Sequence, residues 1–121
     1  MAERLSEAVR SRFRAPRFAL TGALAGGGAT GASGARAAGA LVEVHLGVGG
    51  DGALHARFRA YGDPATIAAA EWVCEQVDGA LPPVSPPAVA AVSRALALPA
   101  SRQHAAQHAV DALRAALGRL D

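Results

Sequence analysis

The hydrophobic period of this chain changes abruptly near residue 62, and that switch limits the fold more than any other feature. Residues 54–61, LHARFRAY, alternate: Leu54, Ala56, Phe58 and Ala60 fall on one side, with His55, Arg57, Arg59 and Tyr61 on the other. This is the period of a half-buried strand. Beyond Gly62, Ile67, Ala70, Cys74 and Val77 recur at helical spacing, and Gly79 closes the run, which predicts an amphipathic helix with a glycine stop. Between the two periods sits Asp63-Pro64. Aspartate is a preferred N-cap, and proline is pre-set for the first helical position. A strand therefore turns a tight corner straight into a helix.

The remaining segments arrange themselves around that corner. Leu5, Ala8, Val9 and Phe13 keep one apolar face, so residues 2–14 read as a helix ended by Pro16. Residues 22–39 are rich in Gly and Ala and contain a literal GxGxxG at Gly26, Gly28 and Gly31. A dinucleotide fingerprint needs a strand before it, a helix after it and an acid some twenty residues on. The sequence that follows is poor helix material, so the segment reads as a flexible loop, with a nucleotide site as the competing account. Residues 41–48 alternate again, Val42, Val44, Leu46 and Val48 facing one way, and the Gly-rich turn after them predicts an antiparallel hairpin with 54–61. His45 and His55 lie on polar faces, neighbours across that hairpin, and read as solvated. The proline-rich stretch 81–87 is a stiff connector. Pro87 can open a short helix through Ala95 that carries Val89, Val92 and Leu96 inward, and Pro99 stops it. A last helix starts near Ser101 as N-cap and runs to Leu120, with Ala106, Ala109, Leu113, Leu117 and Leu120 as its buried stripe. His104 and His108 lie one turn apart, away from that stripe.

These elements predict an α+β fold: a small antiparallel sheet, the hairpin 41–48 with 54–61, packed against several helices. The expected organisation is a single domain over residues 1–121 with a flexible Gly/Ala-rich loop at about 22–39. With aromatics at only 4%, the core has to come from Leu, Val and Ala. All 12 basic residues are Arg and the net charge is +2, without the dense basic face of a nucleic-acid binder. No apolar run is long enough to span a membrane. Arg4, Arg10, Arg12, Arg14 and Arg17 crowd the start, but Glu3 and Glu7 among them argue against an organelle presequence. The expectation is a soluble, cytoplasmic protein without nucleic-acid or membrane partners. The one cysteine excludes an internal disulfide and any Cys-cluster metal site within a single chain. With no Ser-His-Asp or Cys-His arrangement in view, an enzyme ranks last among the readings.

Four local motifs, in order, resemble one family. LSEAVRSRFRAPR from Leu5 resembles an opening helix ending in aromatic-x-x-Pro-Arg. AAGALVEVHLGV from Ala37 resembles Ala-Cys-Gly-Asp followed by an alternating strand, and ARFRAYGDPATIAAAEWV from Ala56 a strand, Phe-Gly-Cys and a helix of small residues. LPASRQHAAQHAVDALRAAL from Leu98 resembles Leu-Pro-Pro-Val-Lys-x-His-Cys and the helix behind it. Together they are similar to the iron–sulfur cluster assembly scaffold family, the IscU type and the N-terminal domain of NifU.

That family holds a [2Fe-2S] cluster with three cysteines, aided by an Asp or by the His beside the last one, because soft thiolates suit iron–sulfur chemistry. This chain departs from each of those cysteines. Ala38 stands at the first, Asp63 at the second and Ala105 at the third, while Ala40 replaces the neighbouring Asp and only His104 is kept. Cys74 lies roughly 16 Å along the helix from Asp63 at 1.5 Å per residue, on the buried stripe, and reads as a small core residue. The chaperone-recognition motif keeps only its Leu98-Pro99 start. The resemblance thus implies a scaffold with a degenerate ligand set, acting as a binding or regulatory component that engages a cysteine desulfurase or other assembly proteins. A single chain of it is not expected to hold [2Fe-2S]. The alternative is a carrier in which Asp63 and His104, with His108 or donors from a partner or second subunit, bind zinc or ferrous iron or a cluster. Against ligation stands a plainer role for Asp63, helix capping, which its position before Pro64 favours.

Overall fold

The computed structural model describes residues 4–22 and 28–120. The chain runs α1 (Glu7–Arg14), β1 (Ala29–Ala35), β2 (Ala40–Val48), β3 (Leu54–Tyr61), α2 (Pro64–Val77), α3 (Val89–Ala95) and α4 (Gln103–Gly118), with 3-10 turns at Arg36–Ala38 and Ala100–Arg102. The strands form one antiparallel sheet in the order β1-β2-β3. The α+β class and the hairpin at the centre of the expected sheet are both present. Its turn is closed by Gly49 N–H donating to Ala53 O at 2.9 Å, and by the Asp51 carboxylate accepting from Ala53 N–H at 3.0 Å.

A third strand occupies much of the stretch expected to be a flexible loop at 22–39. Residues 29–35 pair with β2 from Ala29 opposite Leu46 to Ala35 opposite Ala40. Gly31 of the GxGxxG lies inside that strand rather than in a phosphate-cradling turn, and Gly26 falls outside the described residues. Small residues serve packing here. A Cβ on Gly31 would stand 2.3 Å from both Ala112 O and Ala116 N of α4, so helix and strand meet backbone to backbone. The composition that suggests looseness instead permits close approach.

One face of the sheet carries Val42, Val44, Leu46, Leu54, Ala56 and Phe58 against α2 and α4. α2 is more enclosed than its expected single stripe. Ala65, Thr66, Ala68, Ala69, Ala70, Glu71, Val73, Cys74 and Val77 are all buried, whereas Ile67 is only half-buried. A helix apolar on nearly every side belongs in a core, and α2 lies between β3, α1 and α4.

Several boundaries differ from expectation for local reasons. Within the described residues α1 begins only at Glu7, because the Ser6 hydroxyl caps it, accepting from Val9 N–H at 3.1 Å while donating to Leu96 O at 2.6 Å. Phe13, expected on the apolar face, is 45% exposed. α3 starts at Val89 rather than Pro87. Ser101 does not cap the last helix; it sits in the 3-10 turn, and α4 begins at Gln103 with no side-chain cap. Register sets His45 opposite Arg57 and His55 opposite Gly47, so the two histidines are offset rather than paired.

The chain between α1 and β1 is tied down by a buried carboxylate. Glu71, 2% exposed on α2, accepts from Arg17 N–H at 3.0 Å and Phe18 N–H at 2.8 Å. Phe18 O in turn accepts from Phe58 N–H at 2.9 Å, so residues 18–20 run along the free edge of β3. Nearby, Glu75 receives Arg12 and Arg17 at 3.0 and 2.5 Å.

Two substitutions test this packing. Gly31→Ala should destabilise the protein by about 3 kcal/mol, since helix backbone cannot move aside as a side chain can, while Gly50→Ala, in open space, should be near neutral. Glu71→Ala should cost about 2 kcal/mol or more by stranding two amide donors. Denaturant midpoints at constant slope are the measurement.

Candidate functional site

The predicted corner is assembled from three separate segments. Gly62 has φ +147, and a Cβ there would lie 3.2 Å from Thr66 Oγ1 and 3.3 Å from Gly39 O. The turn carrying Ala38 is therefore pressed against the residue preceding Asp63. From the other side, the 3-10 turn before α4 brings in Arg102, and the first turn of α4 brings in His104.

Asp63 is the N-cap of α2, with Pro64 directly behind it. Its Oδ1 accepts from Thr66 N–H at 2.9 Å and from the Thr66 hydroxyl at 3.0 Å. Its Oδ2 accepts from the Arg102 guanidinium. Partial burial pushes the carboxyl pKa up, but the Thr66 amide and hydroxyl and the Arg102 charge together outweigh it and hold it below its ordinary value. Both oxygens of the carboxylate are committed within the chain.

His104 comes near this pair without joining it. Its Nε2 lies 3.9 Å from Asp63 Oδ2, and its side chain is 46% exposed. The His108 ring stands edge-on to it, centroids 6.3 Å apart, with Nδ1 hydrogen-bonded to the Ser33 hydroxyl at 2.9 Å. Ala38 is exposed, whereas Ala40 and Ala105 are buried. Cys74 is fully buried; desolvation, then the Glu71 charge, pushes its thiol pKa far up, which keeps it from thiolate chemistry.

Sequence reasoning thus located Asp63 and His104 at one corner, and it missed Arg102 as the partner of Asp63. Nothing in the linear order marks a contact across 39 residues of chain. The second Asp63 partner was open to inspection, because Asp-x-x-Thr has the spacing at which a cap meets the third residue of its helix. Among the described residues, no group of three or more His, Cys, Asp and Glu side chains stands where it could hold a metal ion.

A family model described as NifU-like N terminal domain matches residues 5–120. No curated protein is a significant match.

The state of Asp63 has a measurable signature. A carboxyl held below its ordinary pKa in the folded state contributes stability that is complete above 3.8 and is lost as pH falls through the lower folded-state value. Asn keeps the cap but not the charge. The stability difference between wild type and Asp63→Asn should therefore be constant near neutrality and shrink on acidification below 3.8. Urea melts of both proteins from pH 7 to pH 2.5 would reveal a pH-independent difference if the folded protein does not hold this carboxyl below its ordinary value.

Proposed function

The chain belongs to the NifU-like N terminal domain family of iron–sulfur cluster assembly scaffolds, and we propose that it works there through its surface, without holding a cluster itself. In this reading it is a cytoplasmic, non-catalytic component of cluster assembly that engages a cysteine desulfurase or another member of the machinery and regulates it.

The observation that carries the reading is the commitment of Asp63. A cluster is this family's cargo, and soft thiolates are its natural ligands. The residues at the three cysteine positions do not fit that cargo. Ala38 and Ala105 have no donor atom, Ala105 is packed in the core, and Asp63 is spent on its own helix and on Arg102. An oxygen ligand that must first surrender a guanidinium and two hydrogen bonds is a poor recruit, since stranding a charged group costs more than a neutral one. Capping also explains why aspartate stands there. At that position it stabilises the helix by about 1 kcal/mol, and it needs no exposed reactive group to do so.

One feature favours a carrier of zinc or iron instead. The His104 imidazole is half-exposed beside Asp63, and a partner or second subunit could complete a mononuclear site with it. The two readings differ in an elemental measurement. Protein purified without added metal should contain only substoichiometric zinc and iron, and anaerobic reconstitution with ferrous iron and sulfide should leave it colourless. The same protein should bind a cysteine desulfurase and change its sulfide-release rate. Stoichiometric metal that disappears in Asp63→Ala and His104→Ala would establish the carrier. A stable brown diiron centre on a single subunit would overturn both.

A further inference from the structure

Two guanidinium groups on the outer side of the sheet meet no carboxylate among the described residues. Register sets Glu43 opposite Arg59 and Leu41 opposite Tyr61, yet the Glu43 carboxylate approaches His45, at 3.4 Å. Arg36, from the turn after β1, lies over the Tyr61 ring with its guanidinium carbon 5.3 Å from the centroid. Among the described residues neither Arg36 nor Arg59 makes an ion pair, whereas Arg57, two residues earlier on β3, is held by Asp78 at 2.8 Å. Arg36, Arg59 and Tyr61, with Leu41, Glu43 and Ala60, line a depression of about 160 Å³.

The size and chemistry of the depression narrow what can occupy it. Cavities for cofactors and drug-sized ligands run to roughly 300 Å³ and above, so this one suits a single side-chain head rather than a nucleotide. A guanidinium held over a ring by cation–π attraction is already partly positioned, so less freedom is lost when an acceptor arrives. Planar Arg donors favour carboxylates and phosphates. Tyr61, 47% exposed, adds an apolar rim beside Leu41. Arg and Tyr are also the side chains that contribute most energy at protein interfaces.

We propose that this depression is a docking surface for an acidic segment of a partner protein. One carboxylate sits between Arg36 and Arg59, and an apolar neighbour in the same segment packs on Leu41 and Tyr61. Charge complementarity commits the occupant, because among the residues that line the depression the guanidiniums of Arg36 and Arg59 outnumber the single carboxylate, Glu43. The inference rests on the surface-acting reading above and deepens it by naming the face that acts.

The test uses the full chain, labelled with 15N, and two capped tetrapeptides, Glu-Asp-Leu-Glu and its amide counterpart Gln-Asn-Leu-Gln. The acidic peptide alone should shift the Nε–H signals of Arg36 and Arg59 and the amides of Leu41 and Tyr61, with affinity falling as salt rises. Arg36→Ala and Arg59→Ala, both at exposed positions, should each weaken it about tenfold while the rest of the spectrum stays in place. No shifts, or equal shifts with the amide peptide, would overturn the proposal. So would inorganic phosphate binding as tightly as the acidic peptide, which would make this a small-anion site. Desulfurase binding that survives Arg36→Ala with Arg59→Ala sinks the proposal and leaves the functional reading standing. Peptide binding without binding to the desulfurase or to any other cluster-assembly protein sinks the functional reading and upholds the surface.

Discussion

The structure depends on α2 being enclosed on nearly every side by side chains no larger than it can accommodate. Alanines at 65, 68, 69 and 70 let β3, α1 and α4 approach, and interiors of this density tolerate little change in volume. With so few aromatics available, burial has to come from close backbone approach rather than from large rings. The same economy recurs where α4 rests on Gly31. The buried polar side chains Glu71 and Thr66 are both answered, Glu71 by two backbone donors and the Thr66 hydroxyl by Asp63.

Enclosing α2 fixes what its first turn can do. The N-terminal amides of a buried helix need partners, and Asp63 supplies them from within, its carboxylate accepting from Thr66 N–H and its carbonyl from Ile67 N–H. Arg102 then neutralises the carboxylate and joins the start of α2 to the approach to α4. The corner is a structural joint between the start of α2 and the approach to α4. Its chemistry is that of a capped, ion-paired helix end, and the exposed imidazole of His104 stands beside it.

Much of this was legible in the sequence, and the illegible part has a common cause. Period, turn glycines and the Asp63-Pro64 pair defined β2, β3 and α2 to within a residue, because each signal is local. β1 was hidden: ATGASGA has no β-branched or aromatic run, only Thr30 among its seven residues favouring a strand, and it is held there by α4 and β2. Ser101 looked like a cap by identity, but the 3-10 turn moved the true helix start beyond it. At the site, residue types and their order placed Asp63 and His104 correctly at the corner. Arg102 could not be anticipated, since a salt bridge between distant segments leaves no period to read.

The outermost strand has one further property. β1 carries no charge and no proline, the devices by which most sheets discourage a stray strand from zipping onto their rim. Its protection comes from elsewhere in the chain: Arg119, just past α4, reaches across and donates to the Thr30 carbonyl at 2.6 Å. One side chain just past α4 thus occupies a carbonyl of the outermost strand, and folding of that helix is coupled to how much of the sheet's border stays open to pairing.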